Sequence, residues 1–116
     1  MLQVAKTVYD KAEESDGTRL LVMTFWPRGV KKEAVHEWLR GAGTSPLLIS
    51  AWKSEELSWP EFRERYRSEM ASPEKRALIK ELAKRAKEET LTLLCSCRDA
   101  NRCHRTVLKE LIEEAS

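Results

Sequence analysis

Three cysteines, one of two histidines and three arginines crowd into the stretch Cys95-Ser96-Cys97-Arg98-Asp99-Ala100-Asn101-Arg102-Cys103-His104-Arg105. Thiols among fixed cations suit nucleophilic chemistry, because the thiolate is the reactive form and nearby guanidinium groups lower a thiol pKa from its usual value of about 8.5. If Asn101 caps the helix that follows, Cys103 and His104 fall in its first turn. Unpaired N–H groups and the helix dipole there favour a thiolate or a bound phosphate. Cys97 and Cys103 are therefore the candidate nucleophiles and His104 the candidate acid or base. His104 shares a helical register with Leu108, Leu111 and Ala115 and should point toward the sheet. It could equally be a capped histidine bonded to a strand-end carbonyl. Cys95, Cys97, Cys103 and His104 also compose a Cys₃His set for zinc. Zinc ligands are usually paired with two to four residues between them, whereas here one residue separates one pair and none the other. That spacing argues against a resident metal, and no cofactor is expected. Pairing of Cys97 with Cys103, or of Cys95 with Cys97, and a plain core role for Cys95 stay open.

The elements that must position this segment can be read from the hydrophobic pattern. Arg19 to Trp26 is a nearly continuous apolar run that ends at Pro27-Arg28-Gly29, and Leu91 to Cys95 is another, as expected of buried strands. Between them, Val30, Ala34 and Trp38, with Val35 and Leu39, predict an amphipathic helix stopped by Gly41 and Gly43. Ser45-Pro46 predicts a short helix through Trp52. Ser58 with Glu61 forms a capping box ahead of Phe62, Tyr66 and Met70, and Ser72-Pro73 opens a helix through Leu78, Leu82 and Ala86. Leu108, Leu111, Ile112 and Ala115 mark a terminal helix beginning near Asn101. Strands alternating with helices predict a single α/β domain over residues 1–116, with a small, mostly parallel sheet flanked by helices. In such sheets ligands bind beyond the carboxyl ends of the strands. Those ends lead into Trp26-Pro27-Arg28-Gly29 and into the cysteine-rich stretch, so the two should be neighbours.

Composition agrees with one folded domain. The 116 residues are 41% hydrophobic and 34% charged, which excludes a disordered or low-complexity chain. Three cysteines and no secretory leader suggest a reducing, cytoplasmic setting, and no apolar run approaches the length of a membrane span. The net charge of +2 conceals an asymmetry: residues 28–40 carry four cations and two anions, and residues 98–109 four and one. Brought together they would form a basic concavity for a phosphate-like ligand, with Trp26 beside Arg28 able to stack on a base or sugar. The alternative is a pair of ordinary solvated faces. The other three tryptophans read as core residues and His36 as a surface one. No common nucleotide-loop or hydrolase signature is present.

Several segments, in order along nearly the whole chain, resemble the family known as domain of unknown function 488. They are Asp16-Gly17 with Leu21-Val22, Trp26-Pro27-Arg28-Gly29 through Glu33, Trp38-Leu39, Ser58 to Phe62 with Arg65-Tyr66, and Leu93-Leu94-Cys95 through Cys103-His104-Arg105. The resemblance implies a small α/β domain and no established activity. Many members carry Val-Asp-Arg-Leu-Trp where this chain has Val22-Met23-Thr24-Phe25-Trp26, so an acidic and a basic group are missing. The C-terminal thiols look like the cysteine-bearing branch of the family.

The sequence thus points to a small cytosolic enzyme or binding protein for an anionic, nucleotide-like ligand. Its ligand contacts would be Trp26, Arg28, Cys95, Arg98 and Arg105, and its chemistry would lie with Cys97, Cys103 and His104. A non-catalytic nucleic-acid-binding domain and a zinc-stabilised module are the alternatives. The oligomeric state is left open, and no membrane partner is expected.

Overall fold

The computed structural model describes residues 1–116. Four parallel strands form one sheet: β1 (Leu2–Gln3), β2 (Thr18–Leu21), β3 (Glu37–Trp38) and β4 (Leu91–Leu94), in the order β1-β4-β2-β3. The longest ladder pairs Thr18 with Leu91 through Leu21 with Leu94 and is the buried spine of the molecule. Four helices follow the chain as α1 (Pro46–Lys53), α2 (Trp59–Glu69), α3 (Pro73–Glu88) and α4 (His104–Glu114).

The two-residue alternation of a strand sends side chains to opposite faces. Leu20, Leu91 and Leu93 go to one face, against Phe62, Tyr66 and Met70, Ile79 and Leu82, and Val107, Leu108 and Ile112 from the last three helices. Leu21 and Leu94 go to the other, which no helix covers; Val8 and the loop residues Met23, Trp26, Val30, Val35 and Trp38 cover it instead. The protein is an α/β domain with helices on one face and a loop layer on the other. No helix is long and apolar enough to cross a membrane.

The helix starts follow local chemistry. Ser45, Ser58 and Ser72 each accept a backbone N–H three residues on, from Leu48, Glu61 and Lys75, and Ser58 and Glu61 close the reciprocal capping box. Proline occupies the first or second position of all three helices.

Four expectations need correction. The amphipathic helix over 30–39 does not form: Lys32–Ala34 is a 3-10 turn, Glu37–Trp38 is strand β3, and Arg40–Ala42 is a second 3-10 turn. The open edge of β2 and a buried arginine outweigh the local periodicity. His36 N–H bonds Arg19 O, Leu39 N–H bonds Leu21 O at 2.8 Å, and Arg19 Nε bonds Ala34 O at 2.7 Å, which holds this segment extended along the edge. The strand expected over 19–26 ends at Leu21. Beyond Val22 the chain turns away, as Met23 O accepts Trp38 Nε1–H and Gly43 lies against the backbone of Met23 and Thr24. The terminal helix begins at His104, because Asp99 takes the N–H of Asn101 into a separate 3-10 turn and leaves Cys103 extended as the N-cap. The tryptophans are half-buried at the rims of the two apolar clusters, with Trp52 and Trp59 packed on Phe62 and Trp26 edge-on to Trp38. His36 is exposed, and its Nδ1 accepts the N–H of Arg19 at 2.8 Å.

Candidate functional site

Beyond the carboxyl ends of β2 and β4 the chain opens into a cleft of about 500 Å³. The first loop, which follows β2, supplies Thr24, Phe25, Trp26 and Arg28; the second, which follows β4, supplies Cys95, Ser96, Cys97 and Arg102; the first turn of α4 adds Cys103 and His104. The topology places these loops side by side, because β2 and β4 are hydrogen-bonded neighbours and parallel. Val8 N–H bonds Cys95 O at 3.0 Å, and Tyr9 O–H bonds Arg28 O at 3.2 Å, which ties the amino-terminal segment to both loops.

Six of the residues singled out from sequence therefore share one cavity wall: Trp26, Arg28, Cys95, Cys97, Cys103 and His104. Arg98 is exposed and lies outside that wall. Arg105 is fully buried, so it has no surface to offer a ligand and supports the sulfurs from behind instead. Sequence reasoning missed Lys53, at the end of α1, along with Tyr9 and Phe25 at the mouth and Trp52 and Phe62 in the wall. Lys53 carried no signal, since one lysine at a helix end is common. Phe25 sits inside the apolar run that reads as a strand in the sequence.

The His104 ring is fixed by geometry. Its Nε2 bonds the Val22 carbonyl, which has no proton to give, so Nε2 carries a hydrogen and Nδ1 is turned toward the sulfurs. Nδ1 faces Cys103 Sγ at 3.8 Å, and the ring packs edge-on to Tyr66, whose hydroxyl donates to Ala42 O at 2.7 Å. The strand-end carbonyl is the partner the sequence suggested.

Beneath this lies the unusual electrostatic feature of the site. Arg105 Nε donates to Val4 O at 2.9 Å, and Nη1 donates to Cys97 O at 2.8 Å and to Cys103 Sγ at 3.1 Å. Nη2 is buried and has no partner. No carboxylate reaches this guanidinium, which cannot shed its proton. A buried cation is strongly penalised without an opposite charge, so the sulfur cluster must supply one. The charge falls on Cys95 and Cys97 and not on Cys103. Donation from the Cys103 S–H draws Cys95 down to about 3, against the effect of burial, and His104 assists. The same S–H, opposed by burial and helped by a backbone contact at Asp99, draws Cys97 down to about 6. Cys103 is pushed up by serving as that donor to both. All three cysteines are free, and only Cys97 is partly exposed.

A model of the family described as "Active DUF488-N3 subclade" matches residues 3–116. The chain belongs to the DUF488 family. It is 42% identical to the uncharacterized protein YeaO of Escherichia coli over 107 residues, covering 90% of this chain and 91% of that one. It is 29% identical, again over 107 residues, to the uncharacterized protein Rv3073c of Mycobacterium tuberculosis, covering 90% of this chain and 88% of that one. No solved structure matches the chain. This DUF488 domain thus presents its two expected family elements, Trp26-Pro27-Arg28-Gly29 and Cys103-His104-Arg105, on and behind a single cleft.

Proposed function

We propose that this DUF488 domain is a small thiol-containing enzyme that takes an anionic, planar ligand of the nucleotide or modified-base class into the strand-end cleft. One observation carries the reading. The cleft wall holds Arg28, Lys53 and Arg102 and not one carboxylate, and none of the three cations is engaged in an ion pair. Uncompensated cations lining a partly aromatic hollow attract an anion and leave a flat group to stack on Trp26 or Phe25. Cys97 is the thiol that solvent and ligand can reach.

Calorimetric titration with a nucleoside monophosphate, set against the uncharged nucleoside, tests this. The phosphate form should bind more tightly, and Arg28→Ala with Arg102→Ala should erase that preference, a loss of about tenfold for each charge-assisted contact. Equal affinity for the two forms, or binding indifferent to both substitutions, would overturn it. Binding only of an oligonucleotide, with a steep salt dependence, would replace it with a strand-binding role.

A further inference from the structure

The geometry points to a site for a soft divalent metal, zinc foremost, on Cys95, Cys103 and His104, with its fourth position open to the cleft. The two sulfurs and a ring nitrogen of these residues lie within 4.8 Å of one another, and all three residues are buried. Zinc bonds of about 2.3 Å to sulfur and 2.0 to 2.1 Å to nitrogen, set at tetrahedral angles, place donor atoms about 3.5 to 3.8 Å apart. The donors therefore need to draw in by no more than about an ångström, and Cys103 Sγ with His104 Nδ1, at 3.8 Å, needs almost no movement.

Three further features fit a metal better than a mere cluster of thiols. A metal-bound histidine characteristically anchors its other ring nitrogen on a carbonyl or carboxylate, and Val22 O already holds Nε2 in that manner, which frees Nδ1. The Arg105 guanidinium on Cys103 Sγ is the hydrogen bond that stabilises a thiolate ligand. The charges also balance, since two thiolates and a neutral imidazole cancel a divalent ion. Arg105 is then left as the excess positive charge behind it. That excess favours an anion at the open fourth position, in keeping with the cations at the rim. The linear spacing that argued against zinc is no obstacle, because the ligands come from two elements, the end of β4 and the start of α4. On binding, two metal–sulfur bonds form, any proton still on those sulfurs leaves to solvent, and no oxidation state changes.

Cobalt(II) titration of the chelator-treated full chain tests the site alone, without reference to any anionic ligand. One equivalent should produce thiolate-to-cobalt charge-transfer and tetrahedral d–d absorption, and zinc should displace both. Cys95→Ser and Cys103→Ser should each abolish the bands, while Cys97→Ser, whose sulfur stands outside the set, should keep them. Circular dichroism of each variant shows whether it folds. His104→Gln, which keeps a polar group at the position, should shift the d–d bands if it holds metal at all. Absence of the bands from folded wild-type protein, or bands that survive Cys103→Ser, would overturn the inference. Bands lost equally in folded Cys97→Ser would overturn the open position.

Discussion

Two arginines in this chain are almost completely buried, and they stand at opposite ends of the sheet. Arg19, early in β2, is held by Asp16 Oδ2 at 2.6 Å, Ala34 O at 2.7 Å and Asp10 O at 3.0 Å, and Lys6 bonds the second oxygen of Asp16. Arg105, at the opposite end, meets two carbonyls and a sulfur and keeps one nitrogen without a partner. One cation is fully neutralised by hard oxygen partners and ties the loop layer to the sheet. The other is neutralised only by polarisable thiols that also face a cleft. A satisfied buried charge is a structural device, whereas one left half-satisfied beside reactive groups marks where chemistry can be done.

The sharpest way to break this contrast is to remove the counter-charge at the structural end. Asp16→Asn strands Arg19 without an anion and should cost about 3 to 5 kcal/mol in urea unfolding. Arg105→Met removes a cation whose counter-charge lies on thiols that can take up a proton, so no buried anion need be left behind, and it should cost about 1 to 2 kcal/mol for the two carbonyl bonds. Equal losses would erase the distinction.

Acid should find the same asymmetry. Burial raises the Asp16 carboxyl, but the Lys6 hydrogen bond, a backbone bond within the Glu13 turn and the Arg19 bond outweigh it and hold the pKa at about 2, below the ordinary 3.8. A depressed folded pKa contributes stability that is complete above the unfolded value and lost as pH falls through the folded one. Unfolding free energy should therefore decline between about pH 4 and pH 2, and Asp16→Asn should remove that part of the decline.

The glycines of the two ends give effects below that of Asp16→Asn. Gly17 has φ +62°, and a Cβ there would lie 2.2 Å from Thr90 O, so Gly17→Ala should cost about 3 kcal/mol in strain and overpacking. Gly43 has an ordinary φ, but a Cβ would lie 2.3 Å from the backbone nitrogen of Thr24. Gly43→Ala should cost about 2 kcal/mol and, by moving the loop that carries Thr24 to Arg28, weaken ligand binding where Gly17→Ala does not. The smallest effect is one of selectivity. Limited iodoacetamide should modify Cys97 ahead of Cys95 and Cys103, read by peptide mass mapping, because only Cys97 is partly exposed. Simultaneous labelling of all three in folded protein would show that the cluster is not closed.

How much of this could be read in the chain follows from where its forces act. The serine caps, the proline starts and the β2–β4 apolar runs are local or compositional, and they placed α1, α2, α3 and the central pair. The segment over 30–39 carries a helical period but lies along the edge of β2, held by the backbone and guanidinium of Arg19 from more than ten residues away. No periodicity records such a contact. The cysteine cluster and Arg28 were legible as residue types at strand ends. The burial of Arg105 and the place of Lys53 in the cleft were not, since both depend on how α1 and α4 approach the loops. The start of α4 was misplaced because Asn101 and Asp99 are both good caps, and Asp99 took the turn.

On the proposed reading, ligand chemistry belongs to the end of the sheet with the half-satisfied arginine. Backbone amide chemical shifts of the whole chain, followed while a nucleoside monophosphate is added, test it most directly. Shifts should gather on residues 23–28, 53 and 95–104, with Asp16 to Arg19 unmoved. Shifts centred on Asp16 to Arg19, or none at saturating nucleotide, would contradict it.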